Sequence, residues 1–252
     1  MFWAGYIDRI KRYFALSKTE WKSFFLLTVI WALMLSFTKW GETSFDAALG
    51  FRNLLLAVII VGVSVFVHHA AQRLMGLSYG YRIEHRIWWA GLLGGLLALL
   101  LSNGRILIFA ASTMHAHFMP IHRLGAFRYG PSTRQIGASA FTGPIVSVIF
   151  GFLMYAISPT VFADLLRFNL LFAVYSMIPI PPLDGILVFI GSNSPQGGGF
   201  AYKFLICALI GYFLVFFLTG IGFLWSIPLA VIIGLVGWAL IDVIAIGMMR
   251  KR

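Results

Sequence analysis

The sequence predicts an all-α polytopic membrane protein of about six transmembrane helices, with a re-entrant, partly β segment on the cytoplasmic side. Three observations carry this. The 252 residues are 60% hydrophobic and only 11% charged, where a soluble domain carries about 25% charged residues, and the mean hydropathy is +0.92. The apolar runs alternate with basic clusters at Arg9–Lys22, Arg73–Arg86, Arg105–Arg134 and Arg250–Arg252, which gather the net charge of +11. Lys and Arg beside apolar spans mark cytoplasmic loops. Finally, two ionisable residues, His68 and Asp184, lie at the ends of apolar segments, where such groups are costly and mark function by default. The basic excess does not imply nucleic acid, because no soluble basic domain presents it. The single cysteine, Cys207, excludes an intrachain disulfide and a multi-cysteine metal site.

Residues 1–22 form a basic interfacial segment. Phe2, Trp3, Tyr6, Ile10, Tyr13 and Phe14 recur at helical spacing among Arg9, Lys11 and Arg12, a pattern suited to a membrane surface. Residues 23–252 then form a single transmembrane domain. Its first span runs from Phe24 to about Phe37, between Trp21 and Trp40 as interfacial anchors. The second runs from Asn53 to about Leu74 and carries the pair His68-His69. The next apolar run, Ile87 to Ser102, is interrupted by Gly91, Gly94 and Gly95; as a helix it covers about 24 Å, short of a core of about 30 Å. Ile106 to Met119 is shorter still. If the first of these crossed alone, Arg123, Arg128 and Arg134 would face outward, against the positive-inside rule. The pair, about residues 87–119, is therefore expected to enter and return on the cytoplasmic side, as irregular backbone can where protein or a wet cavity covers it. Ile136 to Ser158 and Val161 to Ile178 are the next spans, the former with small residues Gly137 to Ala140 that permit close helix approach. Tyr202 to Thr219 and Phe223 to Met249 bring the total to six, with both termini cytoplasmic. No internal repeat supports a transporter of inverted halves.

Two stretches carry chemistry. An H-E-x-x-H helix binds zinc because positions i and i+4 share one face, and its Glu serves as general base. Val67-His68-His69-Ala70-Ala71-Gln72 has that frame with two of its three working residues replaced. Far along the chain, Pro179-Ile180-Pro181-Pro182-Leu183-Asp184-Gly185 closes a hydrophobic span. Together with Phe66-Val67-His68, with Trp88, Gly91, Leu92 and Leu93, and with Ala140-Phe141-Thr142-Gly143-Pro144, these stretches resemble the site-2 proteases, the intramembrane zinc metalloproteases, over about residues 50–190. The resemblance implies that family's fold, a zinc ion held by His68 and Asp184, and hydrolysis of a peptide bond within or near the membrane. It also implies a transmembrane peptide or protein as substrate or client beside the lipid bilayer, and a place in the plasma membrane of a prokaryote.

The departures fall on the working residues. His69 stands where the family has its Glu base, and Gln72 where it has the second zinc histidine. Ser176 takes the place of the family's Asn, and Ser147 lies where a second Asn often follows Gly143-Pro144. By residue only His68 and Asp184 carry over as ligands. An imidazole at position 69 can still serve as a base, its ordinary pKa lying near 6.5, but a Gln is a poor zinc ligand and catalytic zinc takes three protein ligands. His115 and His117, two apart in a stretch of β character, point the same way in a strand and are candidates for the missing ligand. Gln72, Gly143, Pro144, Ser147, Ser176 and Pro181 would line the substrate cleft. His85, among Arg82, Glu84 and Arg86, belongs to a solvated face. Two readings stand: a catalytically impaired homologue that binds membrane segments without cutting them, favoured because both the Glu and the second His are gone, and a divergent zinc metalloendopeptidase with a rebuilt metal site.

Overall fold

The computed structural model describes residues 2–41, 45–119 and 132–192. Within them the order is α1 (Phe2–Tyr13), α2 (Lys18–Ser36), α3 (Ala47–Tyr79), β1 (Tyr81–Ile87), α4 (Trp89–Leu101), β2 (Ser112–Phe118), α5 (Thr133–Ile157), α6 (Pro159–Ser176) and α7 (Asp184–Ser192). The expected spans at Tyr202–Thr219 and Phe223–Met249, and the basic tail, lie outside the described residues.

Local sequence sets each boundary. Ser17 and Glu20 form a reciprocal capping box that starts α2, so residues 18–22, expected in the interfacial segment, belong to the first long helix instead. Asp46 caps α3 by accepting from the Leu49 N–H. With no proline inside, α3 runs on past the expected end near Leu74 and stops only at Gly80, whose φ of 89° is the left-handed turn that glycine tolerates. Pro159 opens α6 at a position where a missing N–H costs nothing.

Among the described residues two helices, α3 and α5, are long and apolar enough to cross a membrane. At 33 residues α3 is about 50 Å long, more than a bilayer core requires. By contrast α4 has 13 residues, about 20 Å, too short to cross alone. The segment that follows it is extended and ends in β2, as its β character predicted. β1 and β2 pair antiparallel, with His85 opposite Met114 and Glu84 opposite His115.

The core lies where α2, α3 and α6 meet the extended segment before β2. Trp31, Phe109, Phe168 and Phe172 are fully buried. Their rings meet edge-on or tilted, with Trp31 and Phe172 centroids 5.1 Å apart and Phe109 and Phe168 centroids 4.8 Å apart, the geometry that ring quadrupoles favour. Phe172 also packs 4.3 Å from the His68 ring, so the core ends directly against the candidate site. Helix α1 lies alongside the end of α3: the Tyr6 hydroxyl donates to the Leu74 carbonyl, and Arg9 to that of Ser78.

Candidate functional site

The site is built on one face of α3. His68 and Gln72 are a helical turn apart and therefore neighbours, and His68, His69 and Gln72 are all buried. Helix α5 crosses against them. A Cβ on Gly143 would lie 2.6 Å from His68 Nε2 and 2.7 Å from Gln72 Cγ, so only glycine lets the two helices pass this closely. The next residue shapes the site through its backbone. Pro144 has no N–H to give to the carbonyl four residues earlier, which is that of Ala140. Gln72 Nε2 donates to this carbonyl at 2.8 Å. The Gly-Pro pair thus supplies both the space and the acceptor that the Gln72 side chain uses.

Gln72 is the hub. Its second amide hydrogen goes to Asp184 Oδ2 at 2.7 Å. Its carbonyl oxygen accepts from His85 Nε2 at 2.8 Å. With two oxygen acceptors on its nitrogen side, the amide has one satisfactory orientation, and His85 must carry its proton on Nε2. Asp184, at the start of α7, accepts a second hydrogen bond at Oδ1 from the backbone N–H of Met114 in β2, 3.0 Å away. His68 Nδ1 meets Ser147 Oγ at 2.9 Å. Its Nε2 lies 3.8 Å from Asp184 Oδ2 and is buried with no hydrogen-bond partner. His69 Nε2 bonds Ser112 Oγ at 2.8 Å, and its ring stacks on that of His85 with centroids 3.7 Å apart and planes at 14°.

His85 is the residue that the sequence misplaced. It is 4% exposed, not on a solvated face. The reason is strand parity: Tyr81, Ile83 and His85 alternate inward, while Arg82, Glu84 and Arg86 alternate outward. Ile83 and Ile87 on either side were the available signal. Burial, followed by the neighbouring His69 and Arg73, holds the His85 ring well below the ordinary histidine pKa, so it is neutral.

A buried ion pair closes the site from the side of α1 and α2. Arg73, one residue after Gln72, pairs with Glu20, and both are buried. The guanidinium also donates to the carbonyls of Phe14 and Ala15 at 2.7 and 3.1 Å. The carboxylate accepts the backbone N–H of His85 at 3.2 Å. The α1–α2 turn, α3 and β1 are thereby fastened at one point.

The other predicted site residues distribute as follows. Ser147 and Gly143 join the site, and Pro144 acts through the Ala140 carbonyl. Ser176 is buried but its hydroxyl donates to Ala173 of its own helix, at 2.9 Å. Pro181 is exposed. His115 and His117 are not brought to His68 and Asp184. They occupy the exposed face of the hairpin, where His115 Nε2 lies 3.3 Å from the Thr113 hydroxyl and His117 Nε2 lies 3.8 Å from Glu84 Oε2.

A catalytic zinc needs three protein donors. His68 Nε2 and Asp184 Oδ2 face each other and could share an ion. The third neighbour is the amide nitrogen of Gln72, which is not a metal donor, and its oxygen is turned away to His85. His69 and His85 have their Nε2 atoms committed elsewhere. Among the described residues no group of three or more His, Cys, Asp and Glu side chains is arranged to hold a metal. The residues in this arrangement do not fit a three-ligand zinc centre.

A protein of Methanocaldococcus jannaschii described as a "Putative zinc metalloprotease" is 29% identical to this chain over 163 residues, 64% of this chain and 79% of that protein. No protein-family profile matches the chain, and no solved structure matches it. The chain is thus similar to a metalloprotease-like protein over most of that protein's length.

Proposed function

We propose that this chain is a membrane-embedded, site-2-protease-like protein that binds transmembrane segments of other proteins without cutting them. In this reading six helices cross the plasma membrane of a prokaryote, both termini are cytoplasmic, and residues 87–119 form the re-entrant element. Gln72 carries the proposal. It stands one helical turn from His68, where a zinc helix has its second histidine, and spends its amide on the carboxylate that would be the third ligand. The hydrogen-bonded network of Gln72, Asp184, His85 and Ala140 couples α3, α5, α7 and the hairpin, the elements that a metal would otherwise join. Such a network keeps the cleft folded and leaves it without a metal or a carboxylate base.

One observation favours the second reading, a divergent zinc metalloendopeptidase: the buried His68 Nε2 has no partner and faces Asp184. Metal content of the detergent-purified protein separates the two, measured by mass spectrometry beside His68→Ala, Asp184→Ala and the double variant His69→Glu/Gln72→His. The proposal expects no zinc above background in the parent and stoichiometric zinc in the double variant. Zinc in the parent that disappears in both alanine variants would sink it and establish a rebuilt metal site, whose peptidase activity a substrate screen would then test.

A further inference from the structure

At the end of the bundle remote from His68, α2, α3 and α6 enclose an open cavity of about 440 Å³. Along α3 its lining residue nearest the site is Ile60, two helical turns and about 12 Å from His68, so it shares no residue with the site above. Its lip is polar. Lys39 pairs with Asp164 across the opening, and Asn53 Nδ2 donates to the Lys39 carbonyl at 2.7 Å, fixing the chain just beyond α2. Arg52 is exposed at the same lip, and among the described residues no carboxylate pairs with it. Two cations therefore stand against one carboxylate. The wall below the lip is apolar, formed by Leu56, Ile59 and Val161 among others. Ile59 and Val161 are 63% and 65% exposed, so the cavity opens sideways onto the apolar outer surface of the bundle.

A positive lip above a laterally open apolar wall matches one kind of ligand: an amphiphile with an anionic head. A free inorganic anion would leave the wall unused, and a zwitterionic lipid would gain little from the excess cation. We propose that this cavity binds a single anionic phospholipid, its phosphate held by Arg52 and by the Lys39 donors not spent on Asp164, its acyl chain lying along Leu56, Ile59 and Val161. Lysine carries three donors, so the ion pair with Asp164 leaves capacity for the phosphate. The site goes beyond the proposed function and does not depend on whether the chain binds metal or cuts peptides.

The test is native mass spectrometry of the full chain in detergent, titrated with phosphatidylglycerol or with phosphatidylcholine of the same acyl chains. The wild type should retain one phosphatidylglycerol in preference to phosphatidylcholine. Arg52→Gln should weaken that binding about fivefold, the scale of one basic residue at a lipid surface, and Arg52→Lys should restore most of it. Val161→Trp, which fills the cavity and leaves the charges alone, should reduce binding of both lipids. Arg86→Gln, at the opposite end of the bundle, should change nothing. Equal retention of the two lipids, or wild-type retention by both Arg52→Gln and Val161→Trp, would overturn the proposal. So would displacement of the lipid by millimolar inorganic phosphate, which would make the site one for a free anion.

Discussion

The two faces of the β1–β2 hairpin differ by one residue in register and by everything in environment. The inner face carries Ile83, His85, Ser112 and Met114, all buried. Each of its polar groups meets the helices: His85 bonds Gln72, Ser112 bonds His69, and the Met114 N–H bonds Asp184. The outer face carries Arg82, Glu84, Arg86, His115 and His117, paired across the strands as Arg82 with His117 and Glu84 with His115. Its ionic contacts are at 3.4 to 3.8 Å and largely solvated. Three histidines thus sit within one small sheet, and one of them belongs to the site. The lesson is that a strand assigns function by parity, so residue type and sequence proximity mislead by half a period.

If the inner face matters because it is fastened to the helices, the fastening should be the most costly thing to break. Arg73→Met leaves the Glu20 carboxylate buried without its cation and the Phe14 and Ala15 carbonyls without their donor. Removing one member of a buried pair typically costs about 3–5 kcal/mol. Thermal unfolding in detergent, followed by tryptophan fluorescence, should show a correspondingly large drop in midpoint. A shift no larger than that of an exposed substitution would mean that the Arg73–Glu20 pair does not fasten the α1–α2 turn to α3.

The comparison itself is tested by His85→Ala. This removes the stack on His69 and leaves Gln72 Oε1 buried without a donor, a loss of about 2 kcal/mol. It should also loosen the carboxamide that fixes Asp184. Unfolding midpoints of His85→Ala and His115→Ala, two residues of the same type in one sheet, should therefore separate clearly. Equal midpoints would erase the distinction between the faces.

Much of the scaffold was legible in the chain because long apolar helices announce themselves by length and apolarity. The helix carrying Gly143-Pro144 was placed to within three residues at each end, whereas the helix carrying His68 was found but runs five or six residues further at each end than its apolar stretch. Segment 87–119 was recognised as irregular because its apolar runs are too short to cross. Bringing His68, Gln72, Asp184, Gly143 and Ser147 together was also legible, through the spacing on α3 and the resemblance of the Pro-rich stretch. The role of Pro144 was not, because it acts through a carbonyl freed four residues earlier. Nor was the Glu20–Arg73 pair, whose members are 53 positions apart and lie within two basic clusters that read as surface segments. His85 was missed because its charged neighbours dominate the local composition, whereas burial follows every second residue.

The smallest expected effect is the most discriminating for the metal question. His115 and His117 were the natural sources of a third ligand by sequence, and the structure turns both outward. The double variant His115→Ala/His117→Ala should change stability by no more than about 0.5 kcal/mol, as exposed substitutions do. It should leave the zinc content of the His69→Glu/Gln72→His protein unaltered, because that centre would draw its donors from α3 and from Asp184. Loss of zinc in the combined variant would show that the hairpin can present its outer face to the helices. The fixed parity of the two strands would then be one of two states rather than the only one.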